Sequence, residues 1–309
     1  MTRTTIAVAV LAVVLVAGCG SSDDTSPGNS SGGSGGTAGS GGSGGSTGGA
    51  GGVAGSGASG GAAGASGSGG AAGGGGAAGQ GGSGAVLPVG VSGNWTLAFD
   101  DEFDGSSLDS AKWTTMDGGG WGSATCKTAN VAVSGGNLVL TLASSSSGGC
   151  VCTGSACAPA FGGSFKAGAE SYDLPVGGFA EARVNFPGSG EKIYNWPAWW
   201  TSGPGWPAAG EHDIAEGCGT LTVNYHSPSG AHNFGTIPGT WSNAFHVYGM
   251  HRMASSVDVY YDGQKVKSYP TDDNGKPHSL ILDLTEGCGG TPLYGAGSEV
   301  LIDYVRAWE

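Results

Sequence analysis

The feature that most limits how this chain can fold is a pattern in residues 86–309. Short runs rich in Val, Ile, Tyr, Phe and Thr recur between clusters of Gly, Pro, Asn and Asp, and helical periodicity is scarce. Such runs read as strands. The candidates are 137–143, 179–186, 211–216, 221–227, 245–253, 257–261, 265–269, 279–284 and 299–308. Asp262-Gly263, between two of them, is the dipeptide of a two-residue hairpin. In 179–186 the polar Glu181, Arg183 and Asn185 share one face and the apolar Ala180, Ala182, Val184 and Phe186 the other, so one face packs while its opposite is solvated or lines a cleft. Many antiparallel strands of this kind close best as two packed sheets, which predicts an all-β fold, an antiparallel β-sandwich jelly roll.

The residues ahead of this pattern cannot join that fold. From Gly20 to about residue 85 the chain is almost wholly Gly, Ser and Ala, with Asp23 and Asp24 its only charges, and it lacks the apolar surface that would offset the entropy of ordering. It reads as a tether, and a Gly-rich coil of that length has a root-mean-square span of about 45 Å. Its many Gly-x-Gly matches are followed by neither a strand nor Gly-Lys-Ser/Thr and carry no phosphate-binding meaning. Further upstream, Arg3 precedes an apolar run at 6–16 that is too short for a bilayer span and has the layout of a signal peptide. The run closes on Leu15-Val16-Ala17-Gly18-Cys19, which resembles the lipobox of bacterial lipoproteins. That resemblance implies a signal peptide at 1–19, export, lipidation of Cys19 and a membrane anchor at the cell surface, with a tether at 20–85 and a folded domain at 86–309.

Setting Cys19 aside leaves Cys126, Cys150, Cys152, Cys157, Cys218 and Cys288. An even count in an exported chain reads as disulfides. The close spacing from Cys150 to Cys157 suggests a stapled loop and leaves Cys218 with Cys288 as a long-range pair. The rival is a zinc site, for which the cluster lacks a second ligand pair at zinc spacing. The chain carries 11 basic and 24 acidic residues, a net charge of −13. With Arg3, Asp23 and Asp24 outside it, the folded part keeps about −12. Such a surface argues against nucleic acid as a partner. It also disfavours sulfated or carboxylated polymers, leaving a neutral glycan as the favoured polysaccharide.

The segment that carries chemistry is Glu211-His212-Asp213-Ile214-Ala215-Glu216, three acids in six residues. On a regular strand Glu211 and Asp213 point the same way, whereas Glu216, five positions from Glu211, points oppositely. A β-bulge, adding one residue, would return Glu216 to their face. Two carboxyls on one face at about 5 to 5.5 Å suit a retaining glycosidase. Asp213 between them would hydrogen-bond one or both and help keep one ionised and the other protonated. The alternatives are a solvated edge strand and a cation site made of the same carboxylates. Just upstream stand Trp196-Pro197-Ala198-Trp199-Trp200 and Trp206-Pro207. Trp196, Trp199, Trp200 and Trp206 are therefore candidates to stack on sugar rings, with core burial the ordinary alternative for any one of them.

Phe99-Asp100-Asp101-Glu102-Phe103-Asp104-Gly105, Gly178-Phe179-Ala180-Glu181-Ala182-Arg183, the Trp-Pro-Ala-Trp-Trp run, Glu-His-Asp-Ile-Ala-Glu, Tyr260-Tyr261-Asp262-Gly263 and Ile302-Asp303-Tyr304-Val305-Arg306 together resemble glycoside hydrolase family 16. The resemblance covers nearly all of 95–309. It implies a concanavalin-like jelly roll with Glu211 as nucleophile, Glu216 as acid/base and Asp213 as their assistant, and the bulged spacing looks like the laminarinase and agarase branch. The implied activity is hydrolysis of internal β-1,3 or mixed β-1,3/1,4 links of a neutral glucan. The other readings are a different polysaccharide of the family such as agar or galactan, a transglycosylase, and a non-catalytic carbohydrate-binding module. The expected partner is the polysaccharide, bound by a monomer. Catalysis needs no cofactor, and a structural Ca2+ on the convex side would be held by Asp303.

Two positions depart from the family pattern. His212, where an aliphatic residue is usual, reads as a neutral, hydrogen-bonded core histidine, with proton relay or metal ligation as alternatives. Thr285-Glu286-Gly287-Cys288-Gly289-Gly290 replaces a plainer Gly-Gly ending and, with Cys218, would reshape one end of the cleft. On the next strand Asn224 and His226 share the face opposite Leu221, Val223 and Tyr225 and are candidates to line the cleft, with a core-edge or solvent role as the alternative. Arg183 is a candidate to orient the carboxylates or to balance charge, and His246 and His251 read as structural.

Overall fold

The computed structural model describes residues 86–115, 117–118, 125–154, 157, 168–217, 219–287 and 291–309, all within the compact unit Gly75–Glu309. The leader at 1–19 with Cys19, the tether at 20–85, and the pair Cys218 and Cys288 lie outside the described residues.

Two large sheets, with a small two-stranded one of Gly188–Ser189 and Lys192–Ile193, make up the described part of the domain. The nine-stranded one runs in the order Gly230–Thr236, Leu221–Ser227, Glu211–Gly217, Trp196–Ser202, His278–Thr285, Ser147–Cys152 and Thr114–Thr115, with Asp173–Leu174 and Thr125–Cys126 added beside the last elements. Its pairings are antiparallel except for Thr125–Cys126, which runs parallel to Ser147–Cys152. The eight-stranded sheet runs in the order Gln264–Pro270, Ser256–Tyr261, His246–Arg252, Phe179–Asn185, Val300–Trp308, Asn137–Leu140 and Val131–Ser134, with Leu97–Asp101 also against Val300–Trp308. Strands distant in sequence thus become neighbours, and the result is the jelly-roll β-sandwich.

Alternation explains which side chains meet between the sheets. Ala180, Ala182 and Val184 from one sheet, and Val223, Tyr225, Leu280, Leu282 and Leu284 from the other, are buried in a single cluster with Trp199, Ile214, Tyr248 and Met250. The Asp262-Gly263 hairpin forms as expected. Its φ values of 47° and 74° are left-handed at both central residues, the geometry of the turn that matches strand twist, and it brings Tyr261 opposite Gln264.

Observed strands match the candidates to within a few residues at their ends, but Leu97–Asp101, Val131–Ser134, Ser147–Cys152, Trp196–Ser202 and Gly230–Thr236, with several two-residue strands, are ones that the pattern did not announce. Pro197 cannot donate to a ladder, and Gly148-Gly149 imitates a turn. The disulfides are Cys126–Cys150 and Cys152–Cys157. The close cysteine cluster therefore staples only its last two members to each other, while Cys150 reaches back to Cys126.

Candidate active site

The strand Glu211–Gly217 lies between Trp196–Ser202 and Leu221–Ser227. Asp213 stands opposite Asn224 and Glu216 opposite Thr222, so Ile214 and Ala215 together oppose the single Val223. On the other flank the register skips between Trp199 and Trp200. This is the bulge that the spacing called for. Its consequence shows on both neighbouring strands: the partners of Glu211, Asp213 and Glu216 are Ser202, Trp200 and Ala198 on one side and His226, Asn224 and Thr222 on the other, every second residue each time. All three acids therefore face outward from the sandwich. Among the described residues no second sheet covers this face, yet Asp213 and Glu216 are only 4% and 7% exposed, so the row is recessed.

N–H donors surround the acids. The Trp196 indole donates to Glu216 Oε2 at 2.8 Å, and the Asn224 amide donates to Glu216 Oε1. Trp206 hydrogen-bonds Glu211. His226 Nε2 lies 3.5 Å from Glu211 Oε1 and 3.6 Å from Asp213 Oδ2. Trp206 is 48% exposed, with its ring 6.4 Å from that of His226. Asn224 and His226 thus line the acid row as expected, and Trp196 and Trp206 flank it. A recess of about 280 Å³, lined by Lys192, Tyr194, Asn195 and Thr291 among others, opens beyond Trp196 rather than over the acids.

Asp283 is a member of the site that the sequence reading missed. It and Glu216 both pair with Ala198, one from each side, so the two acids flank that methyl group on the outer face. The Trp200 indole donates to Asp283 Oδ2 at 2.7 Å. The available signal was a single acid in Leu280-Ile281-Leu282-Asp283-Leu284, where nothing solvates a charge.

Burial is the main force on these groups. It pushes Glu211 up to about 8, reinforced by the charges of Glu216 and Asp283 and opposed by the Trp206 hydrogen bond. Asp283 also rises to about 8 through burial, opposed by Trp200 and reinforced by Glu216. Glu216 is raised by burial, against the pull of its Trp196 and Asn224 donors. Burial lowers His226, keeping it neutral near pH 7. Carboxyls so placed titrate as a set and share protons, which supplies a proton donor and a carboxylate side by side.

Three expectations are corrected or redirected. Trp199 points into the core, where its indole donates to the Tyr248 carbonyl at 3.0 Å, because its strand turns odd-numbered residues inward. Trp200 does face outward, yet it is 4% exposed and packed among cysteines, so it serves Asp283 rather than offering a ring face. Arg183 belongs to the opposite sheet and pairs with Asp303 at 2.7 Å, both side chains 38% exposed, with its guanidinium over the Phe245 ring. It therefore orients no carboxylate of the row. Asp303, the expected calcium ligand, is the partner of that arginine.

Behind the row, His212 is fully buried, with Nε2 3.1 Å from Asp273 Oδ2 and Nδ1 3.3 Å from the Tyr269 hydroxyl. Burial holds its pKa below the ordinary value, so it is the neutral core histidine expected. Asp273 also accepts from Arg252 Nε at 3.1 Å and from a terminal guanidinium nitrogen at 2.7 Å.

Fold and site together define a jelly-roll sandwich with a recessed row of acids and tryptophans on the outer face of one sheet. Solved structures that share this fold include the endo-beta-1,3-glucanase from Pyrococcus furiosus, 22% identical over 70% of this chain and 94% of that one with a TM-score of 0.56. The laminarinase from Rhodothermus marinus is 23% identical over 70% and 98%, with a TM-score of 0.55. A non-specific endo-beta-1,3(4)-glucanase from family GH16 is 22% identical over 72% and 94%, with a TM-score of 0.58. No protein-family model matches the sequence, and no curated protein matches it. At these identities the likeness establishes the fold, and the chemistry rests on the site.

Proposed function

We propose that the domain is a retaining glycoside hydrolase of the family 16 type, acting on β-1,3 or mixed β-1,3/1,4 links of a neutral glucan. The observation that carries this reading is the bulge at Ile214 and Ala215, which sets Glu211, Asp213 and Glu216 on one recessed face between Trp196 and Trp206. Glu211 attacks the anomeric carbon as Glu216 gives its proton to the departing oxygen, forming a bond from C1 to Glu211 and breaking the glycosidic bond. Water, losing its proton to Glu216, then displaces Glu211 and restores both groups. The exposed Trp206 offers a ring face to a sugar, and neutral His226 can hydrogen-bond a hydroxyl. The acidic surface suits an uncharged polymer, and the β-1,3-glucanases of the same fold support the substrate class. Export and anchoring at Cys19 are part of the same proposal, supported by two disulfides of a kind that form in oxidising compartments.

One observation favours a second assignment of roles. Glu216 has two N–H donors, Trp196 and Asn224, and these favour its charged form, whereas the acid/base must begin protonated. With an activated glycoside and azide, the Glu→Ala variant of the nucleophile yields a glycosyl azide of inverted configuration, and that of the acid/base a retained one. Glu211→Ala giving the inverted product supports Glu211 as the nucleophile; Glu216→Ala giving it reverses the roles. Overall retention is checked by NMR of the first anomer released, and inversion rejects the mechanism. Reducing ends released from laminarin, lichenan, agarose, xylan and galactan identify the substrate. Binding without cleavage of any of these would support the non-catalytic module instead.

A further inference from the structure

Trp206 stands on the loop 203–210, between the strands Trp196–Ser202 and Glu211–Gly217. Residues 204–208 are all exposed, Trp206 itself by 48%, so contacts of its own fix the indole little. A ring that stacks on a sugar and donates to Glu211 must nevertheless be held in place, because ordering it at the moment of binding offsets part of what the contact gains. The loop's internal bonds run from the Ala208 N–H to the Gly205 carbonyl at 3.0 Å, from the Gly210 N–H to the Pro207 carbonyl at 2.9 Å and from the Gly203 N–H to the Gly210 carbonyl at 3.1 Å. They shape its turns and close its base.

Two side chains from elsewhere fasten the loop to the sandwich. His278 Nε2 donates to the Ala209 carbonyl at 2.7 Å, and the Asn274 amide donates to the Ala208 carbonyl at 2.9 Å. Two consecutive carbonyls just past Trp206-Pro207 are thereby gripped by one stretch of chain, where Gln264–Pro270 of one sheet leads into His278–Thr285 of the other. His278 is fully buried, with its ring stacked on that of His212, and burial keeps it neutral. Since a carbonyl can only accept, the proton sits on Nε2, which leaves Nδ1 to accept from the Thr201 hydroxyl at 3.1 Å. Gly203 makes room for the grip: a Cβ there would stand 2.5 Å from the Ala209 Cβ and 3.0 Å from His278 Cδ2. Ala209 is accordingly 3% exposed beside its exposed neighbours.

We propose that His278 and Asn274 are positioning residues, which hold the Ala209 and Ala208 carbonyls and so fix the loop that sets the Trp206 indole at the Glu211 end of the acid row. Neither touches the sugar. They act through the ring, whose placement sets how well the polymer is bound beside Glu211. The inference rests on the glycosidase reading and deepens it, by naming what holds the stacking residue in register with the acids.

The test is a double-mutant cycle on the full chain, read as kcat and KM for laminarin. His278→Ala and Trp206→Ala should each lower kcat/KM by about tenfold or more, mainly through KM. The double variant should be within about twofold of Trp206→Ala alone, because no ring is left to position. His278→Gln, whose Nε2 can reach the place of the imidazole Nε2, should recover most of the loss; a glutamine variant no better than alanine overturns the role of the Ala209 bond. Asn274 is exposed and has a φ of 58°, which glycine adopts without strain. Asn274→Gly therefore removes the amide donor at little cost to the fold, and keeps the test open if His278→Ala does not fold. It should raise KM about threefold to fivefold, the share of one net hydrogen bond, and again only while Trp206 is present. Defects equally large with and without Trp206, or a KM unchanged in both single variants, overturn the positioning role and leave the glycosidase reading intact. Absence of any cleavage by the unaltered chain overturns the glycosidase reading, and this inference with it.

Discussion

On the outer face of the nine-stranded sheet the carboxyls of Glu211, Glu216 and Asp283 stand among N–H donors and one another, and burial raises the pKa of all three. On its inner face Asp273 receives Arg252 and His212 and is held well below the ordinary carboxylate range, its partners outweighing burial. The residue type is the same and the direction of the shift is opposite. A buried acid matched to a cation makes the fold depend on both partners, since loss of either strands a buried charge. Buried acids matched mainly to each other keep protons in reserve at a cost in stability, which is the mark of a reactive site.

The comparison breaks first if the outer acids prove structural. Glu211→Ala and Glu216→Ala should each lower kcat on the natural polymer by about a thousandfold or more, while thermal unfolding shifts little or upward because a crowding acid is gone. Loss of folding with loss of activity in both variants would place these acids with Asp273 instead. On the inner face the ranking reverses. Arg252→Met leaves Asp273 without its cation and should cost about 3–5 kcal/mol in denaturant unfolding, with turnover of the remaining folded fraction near normal. A variant that unfolds normally but loses turnover would assign the inner cluster to catalysis.

The pH dependence of stability sharpens the contrast. Asp273, depressed in the fold, contributes stability present above the unfolded value of about 3.9 and lost as pH falls toward its folded value. His212 and His278 are depressed too, so the fold loses ground as pH drops below about 6.5, where the unfolded chain takes up protons that they resist. Glu211 and Asp283, raised to about 8, act in the other direction: their contribution is fully present below an unfolded value of about 4 and is lost as pH rises to about 8. Asp283→Asn should therefore raise the unfolding midpoint at pH 8 relative to pH 5. It should also move the alkaline limb of activity to lower pH, because an ionised Asp283 favours protonation of its neighbours. A midpoint and an alkaline limb both unchanged would show that Asp283 does not titrate with the row.

Much of this was legible because alternation is a property of sequence. The odd spacing of Glu211 and Glu216 demanded a bulge, and Asn224 and His226 alternate with Leu221, Val223 and Tyr225 so that their face follows once the strand is known. What escaped was register between distant strands. Nothing in the chain states that Asp283 comes to rest across Ala198 from Glu216, or that Cys150 pairs with Cys126 rather than within its cluster. Trp199 and Trp200 show the limit most plainly: adjacent and chemically identical, they take the core and the outer face, and only the ladder with His278–Thr285 decides which is which.

The smallest expected effect concerns Arg183, whose polar face made it a candidate for orienting the acids. Phe179–Asn185 lies in the opposite sheet, so the same alternation that packs Ala182 and Val184 inward sends Arg183 to the far surface of the sandwich. Its pair with Asp303 is 38% exposed on both sides, where solvent and salt screen the attraction. Arg183→Ala should cost no more than about 1 kcal/mol in unfolding, part of it from lost packing over the Phe245 ring. kcat and KM should be unchanged across the pH range. A change in the pH profile of turnover would mean that charge on the far sheet reaches the acid row through the core, and the separation of the two faces would then be incomplete.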